Sequence, residues 1–380
     1  MAAPTVHPDA RPVTEARAPT SRLVALDAWR GLTVLLMLLV NNVALDWRTP
    51  RQLLHAPWGG SLSLADLVFP WFLFCAGVAV PFSAASARRA GITGARLVGK
   101  LLSRTVLLFL VGCLLTSAVS HRLVIGLGVL QLIALASLVG GLTAGWPIWW
   151  RVGLALALLL GYDGLIRFTP LPDGSVGVFE EGRNVIDHLN GAILAPLGLR
   201  GLPSVVPTAA LVVLGGVVGD IVRRARDRVN GGPSTTRLLL VTGVLMTLTG
   251  WAWSFALEFN KPVWTPSYIL FSAGLATIGI LALYSVADAH GYGRWFAPLT
   301  WAGRNALFAY VAPILVKTWI LQDWTVTWTG KSQSIQQSLL TLARTDLGLW
   351  WGGWLYTLGY IGVVWLALWW MARRNLVWKF

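Results

Sequence analysis

Apolar positions in this chain come in long unbroken runs, not in the period of two or 3.6 that marks a half-buried strand or surface helix. Beyond residue 20, ten runs are about long enough to cross a hydrocarbon core of roughly 30 Å at about 1.5 Å per residue. They are Gly31–Trp47, Leu62–Phe82, Leu101–Val119, Leu123–Leu142, Ile148–Leu165, Leu202–Val222, Leu238–Leu257, Val263–Ala287, Leu299–Leu321 and Leu347–Met371. The pattern predicts an all-α, polytopic membrane helix bundle of about ten transmembrane helices. Residues 1–20 hold four prolines and no apolar run, so they read as a disordered tail and not as a signal peptide. Residues 21–380 read as a single transmembrane domain with one long loop at about 166–201.

Composition agrees with that reading. Of 380 residues, 56% are apolar and 12% charged, and the mean hydropathy is +0.65. The formal charge of +14 does not point to nucleic acid, because the cations lie in the gaps between apolar runs. Ten crossings put both termini on one side. That side carries 20 of the 30 Lys and Arg and the other 10, so both termini are expected in the cytoplasm. The loop at 166–201, with Asp173, Glu180, Glu181 and Asp187 and with Asp163 at its edge, is then extracytoplasmic and long enough to form a lid. The two cysteines, Cys75 and Cys113, lie inside apolar runs, which gives no disulfide framework and no metal-ligand spacing. Many of the 22 Trp stand at run ends, as an interfacial belt requires.

Ionisable side chains at membrane depth are costly unless paired or facing a cavity, so they mark candidate sites. An outer group comprises Asn41 and Asn42 in the first helix, His55 in the following loop, Asp66 at the start of the second helix, and Glu258 and Lys261 between the seventh and eighth. His55 precedes the breaker-rich Pro57-Trp58-Gly59-Gly60, and Asp66 is placed to orient its imidazole, as carboxylates do in catalytic dyads. An inner group comprises Asp27 and Arg30, then Lys100 and Arg104 on one helix face, then Arg304 with Asn305, and it suits an anion. Asp27 and Arg30 equally fit a helix-end ion pair, and Lys100 and Arg104 equally fit snorkelling topology signals. His121, His188 and His290 read as solvated loop residues.

Several of these residues fall in segments that resemble a known family. The opening Arg22–Gly31, Met37–Asn41 and above all the run His55–Gly77 (HAPWGGSLSLADLVFPWFLFCAG) are similar to heparan-alpha-glucosaminide N-acetyltransferase and its bacterial relatives. Gly128-Val-Leu-Gln131, Asn260–Tyr268, Gly303-Arg-Asn-Ala306 and a basic C-terminus ending at Phe380 match in order. The chain departs from the family at Gly59, where an asparagine is usual, at Leu132, where an arginine is common, and around Pro196–Arg200. These departures leave the acceptor open.

The resemblance implies a multi-pass acyltransferase of the bacterial inner membrane. It would take an acetyl group from cytoplasmic acetyl-CoA and deliver it to an amine or hydroxyl of an extracytoplasmic sugar or glycan, with no metal. The family's active-site histidine maps onto His55, its first-helix asparagine onto Asn41 and its second-helix acid onto Asp66. Arg30, Lys100, Arg104, Gln131, Arg304 and Asn305 become the donor-binding candidates, and Trp58 and Lys261 the acceptor-binding ones. His55 serves as general base or as an acylated nucleophile, and Asn41 as a donor to the thioester oxyanion. The sequence leaves a homodimer open. The alternative is a transporter for a small anionic or sugar substrate, with helix breaks at Pro70 and Pro313.

Overall fold

The computed structural model describes residues 23–227, 233–328 and 331–378; the tail 1–20 and the final Lys379 and Phe380 lie outside the described residues. In chain order the helices begin with α1 (Val24–Asn42), α2 (Leu64–Arg89), α3 (Gly94–Ser120), α4 (Val129–Thr143) and α5 (Ile148–Phe168). The long loop follows, with a small hairpin of β1 (Phe179–Glu180) and β2 (Arg183–Asn184) and the short α6 (Val185–His188). Then come α7 (Val205–Asp227), α8 (Pro233–Trp253), α9 (Pro266–Leu283), α10 (Ala297–Arg304) and α11 (Ala306–Val316). A second hairpin, β3 (Thr325–Trp328) with β4 (Lys331–Ser334), leads into α12 (Ile335–Arg373).

Six described helices are long and apolar enough to cross a membrane, and the pair that contains α10 and α11, bent by 60°, is either a broken seventh span or a re-entrant loop. The other three runs read from the sequence also form helices but fall short of that standard. α4 has 15 residues, about 22 Å. α5 carries Arg151, Asp163 and Arg167, and α8 is diluted by threonines and Arg237.

Close helix packing rests on small residues, the usual device where lipid removes the hydrophobic drive between helices. A side chain on Gly31 would overlap the Leu299 carbonyl, and one on Gly303 the Asp27 carbonyl, so α1 and α10 meet backbone to backbone. Gly77 on α2 faces Gly215 on α7 in the same way, and Gly243 and Gly250 on α8 face α9. The core so enclosed is built from Leu73, Phe74 and Val78, from Leu211 and Val212, and from Ile269 and Ala273, all buried. On α3 the apolar side chains turn outward instead. Leu102, Val106, Leu110 and Leu114 are exposed, as a lipid-facing surface requires.

Three features differ from the sequence expectation. Pro70 and Pro313 lie inside α2 and α11 without ending them. The breaks fall at Asn305, between α10 and α11, and at Gly348 (φ 73°, ψ 174°) inside α12. The last apolar run is preceded by a helical segment that folds back on it, so that a side chain on Gly352 would overlap the Ala343 carbonyl. That segment is too polar, with Gln336, Gln337, Arg344 and Asp346, to register as a membrane run.

Candidate active site

Residues 43–63 connect α1 to α2 and are pinned at several points. Thr357 Oγ1 accepts from Ala44 N at 3.1 Å, Arg344 Nη2 donates to Ala44 O at 2.8 Å, and Arg344 Nη1 pairs with Asp46 at 2.9 Å. Asp66, in the first turn of α2, closes a capping box with Ser63. Its Oδ2 accepts from Ser63 N (3.1 Å), Ser63 Oγ (3.0 Å) and Ala56 N (3.0 Å). Its Oδ1 faces His55 Nδ1 at 2.9 Å. The Asp66 side chain is 3% exposed and that of His55 59%. A buried acid therefore holds an accessible imidazole, the arrangement a base needs if it is to meet a substrate.

The third member arrives from the turn between α8 and α9. Within Asn260–Tyr268 the polar side chains build the turn itself. Asn260 Oδ1 accepts from Val263 N, Thr265 Oγ1 accepts from Asn260 N and donates to Glu258 O, and Ser267 Oγ donates to Leu257 O, all between 2.7 and 3.0 Å. Tyr162 OH donates to Val263 O at 2.9 Å, and Tyr268 OH donates to Asp66 O at 2.5 Å, tying the turn to α5 and to α2. Trp264 adopts a left-handed φ of 61°, uncommon for a bulky residue and held here by these bonds. The turn carries Lys261 Nζ to 2.9 Å from His55 Nδ1, 3.5 Å from Nε2 and 3.4 Å from Asp66 Oδ1. Burial holds the Lys261 ammonium below its ordinary lysine value, and the charge of Asp66 offsets part of that. Glu258 lies beside Gly60 in the His55 loop.

Trp58 stacks at 5.2 Å on Phe179 of the long loop. It packs with Tyr162, Ile186, Leu257 and Val263, so that loop covers the flank of the His55 segment. Lys317, just beyond α11, engages the backbone of Asn41 and the side chain of Asn42, donating to Asn41 O at 3.2 Å and to Asn42 Oδ1 at 3.0 Å. No hydrogen bond joins Asn41 to His55, Asp66 or Lys261 among the described residues. Sequence reasoning passed over Lys317; a lysine inside the apolar run, four residues after Pro313, was the signal.

At the other end of α1, Arg30 stands 3.5 Å from Asp27 and on nearly the same face as Asn41, eleven residues and about 16 Å away. Arg104 of α3 lies within electrostatic range of Arg30. Arg304 is brought to the first turns of α1 by the Gly31–Gly303 contact, and its Nε is buried without a partner among the described residues. Lys100 is exposed one turn before Arg104. Two further candidates are buried, and the Oε1 of one of them, Gln131, has no hydrogen-bond partner among the described residues. Gln131 is 1% exposed, wedged against Gly112 and Gly128 with Nε2 at 3.6 Å from Cys113 Sγ. Asn305, also 1% exposed, donates to Leu376 O at 3.1 Å and accepts from Trp378 N at 3.0 Å. Among the described residues no group of three His, Cys, Asp or Glu side chains could hold a metal ion.

A histidine–carboxylate pair at one end of a helix and arginines at the other suit the two halves of an acyl transfer. The family model described as heparan-alpha-glucosaminide N-acetyltransferase, catalytic, matches residues 22–243, more than half of the chain. The chain belongs to this family. It is 24% identical over 380 residues to heparan-alpha-glucosaminide N-acetyltransferase of Homo sapiens, and 24% identical over 381 residues to that of Mus musculus. Each match covers 83% of this chain but 56% and 57% of the relative, so the chain spans little over half the length of these curated proteins. The family's matched region holds His55, Asp66, Asn41, Arg30 and Arg104, whereas Lys261, Arg304 and Asn305 lie beyond it. Membership in an acetyltransferase family and a bundle of apolar helices together make this a multi-pass membrane member of that family.

Proposed function

We propose that this protein transfers an acetyl group from cytoplasmic acetyl-CoA to an amine or hydroxyl of an extracytoplasmic sugar or glycan. The observation that carries the proposal is the His55–Asp66 pair, 2.9 Å apart, in the loop that leaves the opposite end of α1 from Arg30. In this reading the chain crosses a bacterial inner membrane about ten times with both termini in the cytoplasm, and α4, α5 and α8 are among the crossings. The phosphates of CoA meet Arg30, Arg104 and Arg304, since guanidinium forks match phosphate oxygens. Lys100, one turn before Arg104, and Asn305, next to Arg304, flank these arginines, and Gln131 packs against α3 two turns beyond Arg104. The pantetheine arm reaches along the face of α1 toward Asn41, and Trp58 packs on the acceptor sugar.

His55, oriented by Asp66, removes the acceptor proton at Nε2 while the acceptor attacks the acyl carbon. The new bond to the acyl carbon forms, the C–S bond breaks, and the ring proton passes to the departing thiolate. Asn41 donates to the oxygen on which charge develops. The transporter reading drew on breaks at Pro70 and Pro313, and both helices run through those residues. Purified protein in lipid nanodiscs, given acetyl-CoA and glucosamine, is expected to form N-acetylglucosamine or an O-acetyl product. His55→Ala should abolish that reaction while retaining acetyl-CoA binding. A His55→Ala variant with wild-type turnover overturns the proposal.

A further inference from the structure

Nδ1 of His55 lies 2.9 Å from Asp66 Oδ1 and 2.9 Å from Lys261 Nζ. A ring nitrogen carries either a proton or a lone pair, so it bonds one of these two groups and not both. With the proton on Nδ1, His55 donates to Asp66 and leaves Nε2 open as a base. With the lone pair on Nδ1, it accepts from the ammonium and Nε2 is protonated. The imidazolium, protonated on both nitrogens, is attracted by Asp66 but stands against a second cation 2.9 Å away.

Two charged groups contact this ring, Asp66 from α2 and Lys261 from the turn between α8 and α9; Glu258, of the same turn, lies beside Gly60 of the His55 loop. The charge of Asp66 favours the protonated ring, and anything that offsets that charge favours the free base. Part of the Asp66 charge is taken up by the three donors on Oδ2, and Lys261 at 3.4 Å from Oδ1 takes up more. The buried bonds of the Asn260–Ser267 turn fix where Nζ sits, so the balance is set by the fold.

We propose that Lys261 is a positioning residue that keeps His55 uncharged between turnovers by cancelling the pull of Asp66 on the ring proton. The inference rests on the acyl-transfer reading above. It gives the ammonium two effects in one cycle. Before attack, it leaves the imidazole free to act as a base; after attack, it destabilises the imidazolium and drives the proton onto the CoA thiolate.

The test compares wild type, Lys261→Met and Lys261→Arg in nanodiscs. One readout is kcat/KM against pH with acetyl-CoA and glucosamine. Lys261→Met is expected to move the acidic limb upward by about one pH unit, the size of effect a single neighbouring charge produces, and to regain its rate at higher pH. Lys261→Arg should keep the wild-type profile. The second readout is the ¹⁵N spectrum of labelled histidine, with His55 identified among the five histidines by its loss in His55→Gln. The protonated fraction of that ring at neutral pH should rise in Lys261→Met. If Lys261→Met does not fold, Lys261→Gln carries the same comparison. An unmoved limb with only KM for glucosamine raised, or an unchanged ring spectrum, overturns the proposal. The spectrum needs no turnover, so a wild type that transfers no acetyl group counts against the acyl-transfer reading alone.

Discussion

Asp66 divides its two carboxylate oxygens between structure and His55: Oδ2 holds Ser63 and Ala56, while Oδ1 stands 2.9 Å from the imidazole. One residue thus sets both where α2 begins and which way the candidate base points. Asp66→Asn keeps the shape but replaces an acceptor with an amide donor, which must turn its NH₂ either toward the Ser63 and Ala56 donors or toward His55. The expected result is a fall in turnover of roughly 10²–10⁴-fold, the range of a general-base contribution. The loss of melting stability should be smaller, about 1 kcal/mol, as for a weakened N-cap. Initial rates and thermal unfolding of the same nanodisc preparation separate the two.

Asn305 sits at the bend between α10 and α11 and bonds the backbone of the C-terminal segment in both directions, to Leu376 O and from Trp378 N. Asn305→Leu would fill the space and leave a carbonyl and an N–H without partners. Each such loss costs about 1–3 kcal/mol when buried, so a marked drop in unfolding temperature is expected. Asn305→Asp, which keeps the acceptor for Trp378 N, should lose less. Equal losses would show that the bond to Trp378 contributes nothing.

Much of this was legible in one dimension because the relevant partners are close in sequence. His55 and Asp66 are eleven residues apart across a Pro- and Gly-rich turn, and the capping pattern Ser63-x-x-Asp66 announces where α2 starts. Gly31, Gly77 and Gly215 report only that something packs closely; which helix does so depends on the tertiary fold. Lys261 was visible as a cation in a tight turn, but its distance to His55 depends on how α8 and α9 pack on α2. The engagement of Asn305 by Leu376 and Trp378 spans some seventy residues and left no local trace. Lys317, which donates to the Asn41 backbone carbonyl and to the Asn42 side chain, left no signal beyond its place near the end of an apolar run, among the snorkelling cations.

In the proposed orientation, which rests on the charge asymmetry along the chain, the His55 loop lies outside and the α2–α3 loop inside. Cysteines introduced as Arg51→Cys and Arg89→Cys test this directly, because both positions are exposed whereas the native Cys75 and Cys113 are buried. A membrane-impermeant maleimide on intact cells is expected to label the first variant and not the second until the membrane is opened. The reverse pattern would invert the orientation and put His55 on the same side as the cellular CoA pool.

The arginines at the inner end of α1 make the last prediction. Arg30 has Asp27 at 3.5 Å as a partial counter-ion, while Arg104 comes from another helix into its electrostatic range and adds a like charge. Two cations held near each other by separate helices repel unless an anion lies between them, so the arrangement gains stability when a phosphate binds. A charge-assisted bond to phosphate contributes about 1.5–3 kcal/mol, so Arg104→Ala should weaken CoA binding by roughly tenfold or more in calorimetry. Added salt should narrow the gap to wild type, since it screens what remains of the attraction. Lys100→Ala, one turn away and exposed as Arg104 is, should change affinity less, because a flexible ammonium lacks the guanidinium fork that matches phosphate oxygens. The double variant Arg30→Ala/Arg104→Ala should show coupling of about 0.5–3 kcal/mol if both side chains grip one phosphate. Additive losses would assign them to separate phosphates, and unchanged affinity in Arg30→Ala, Arg104→Ala and Arg304→Ala would move the nucleotide to another part of the molecule.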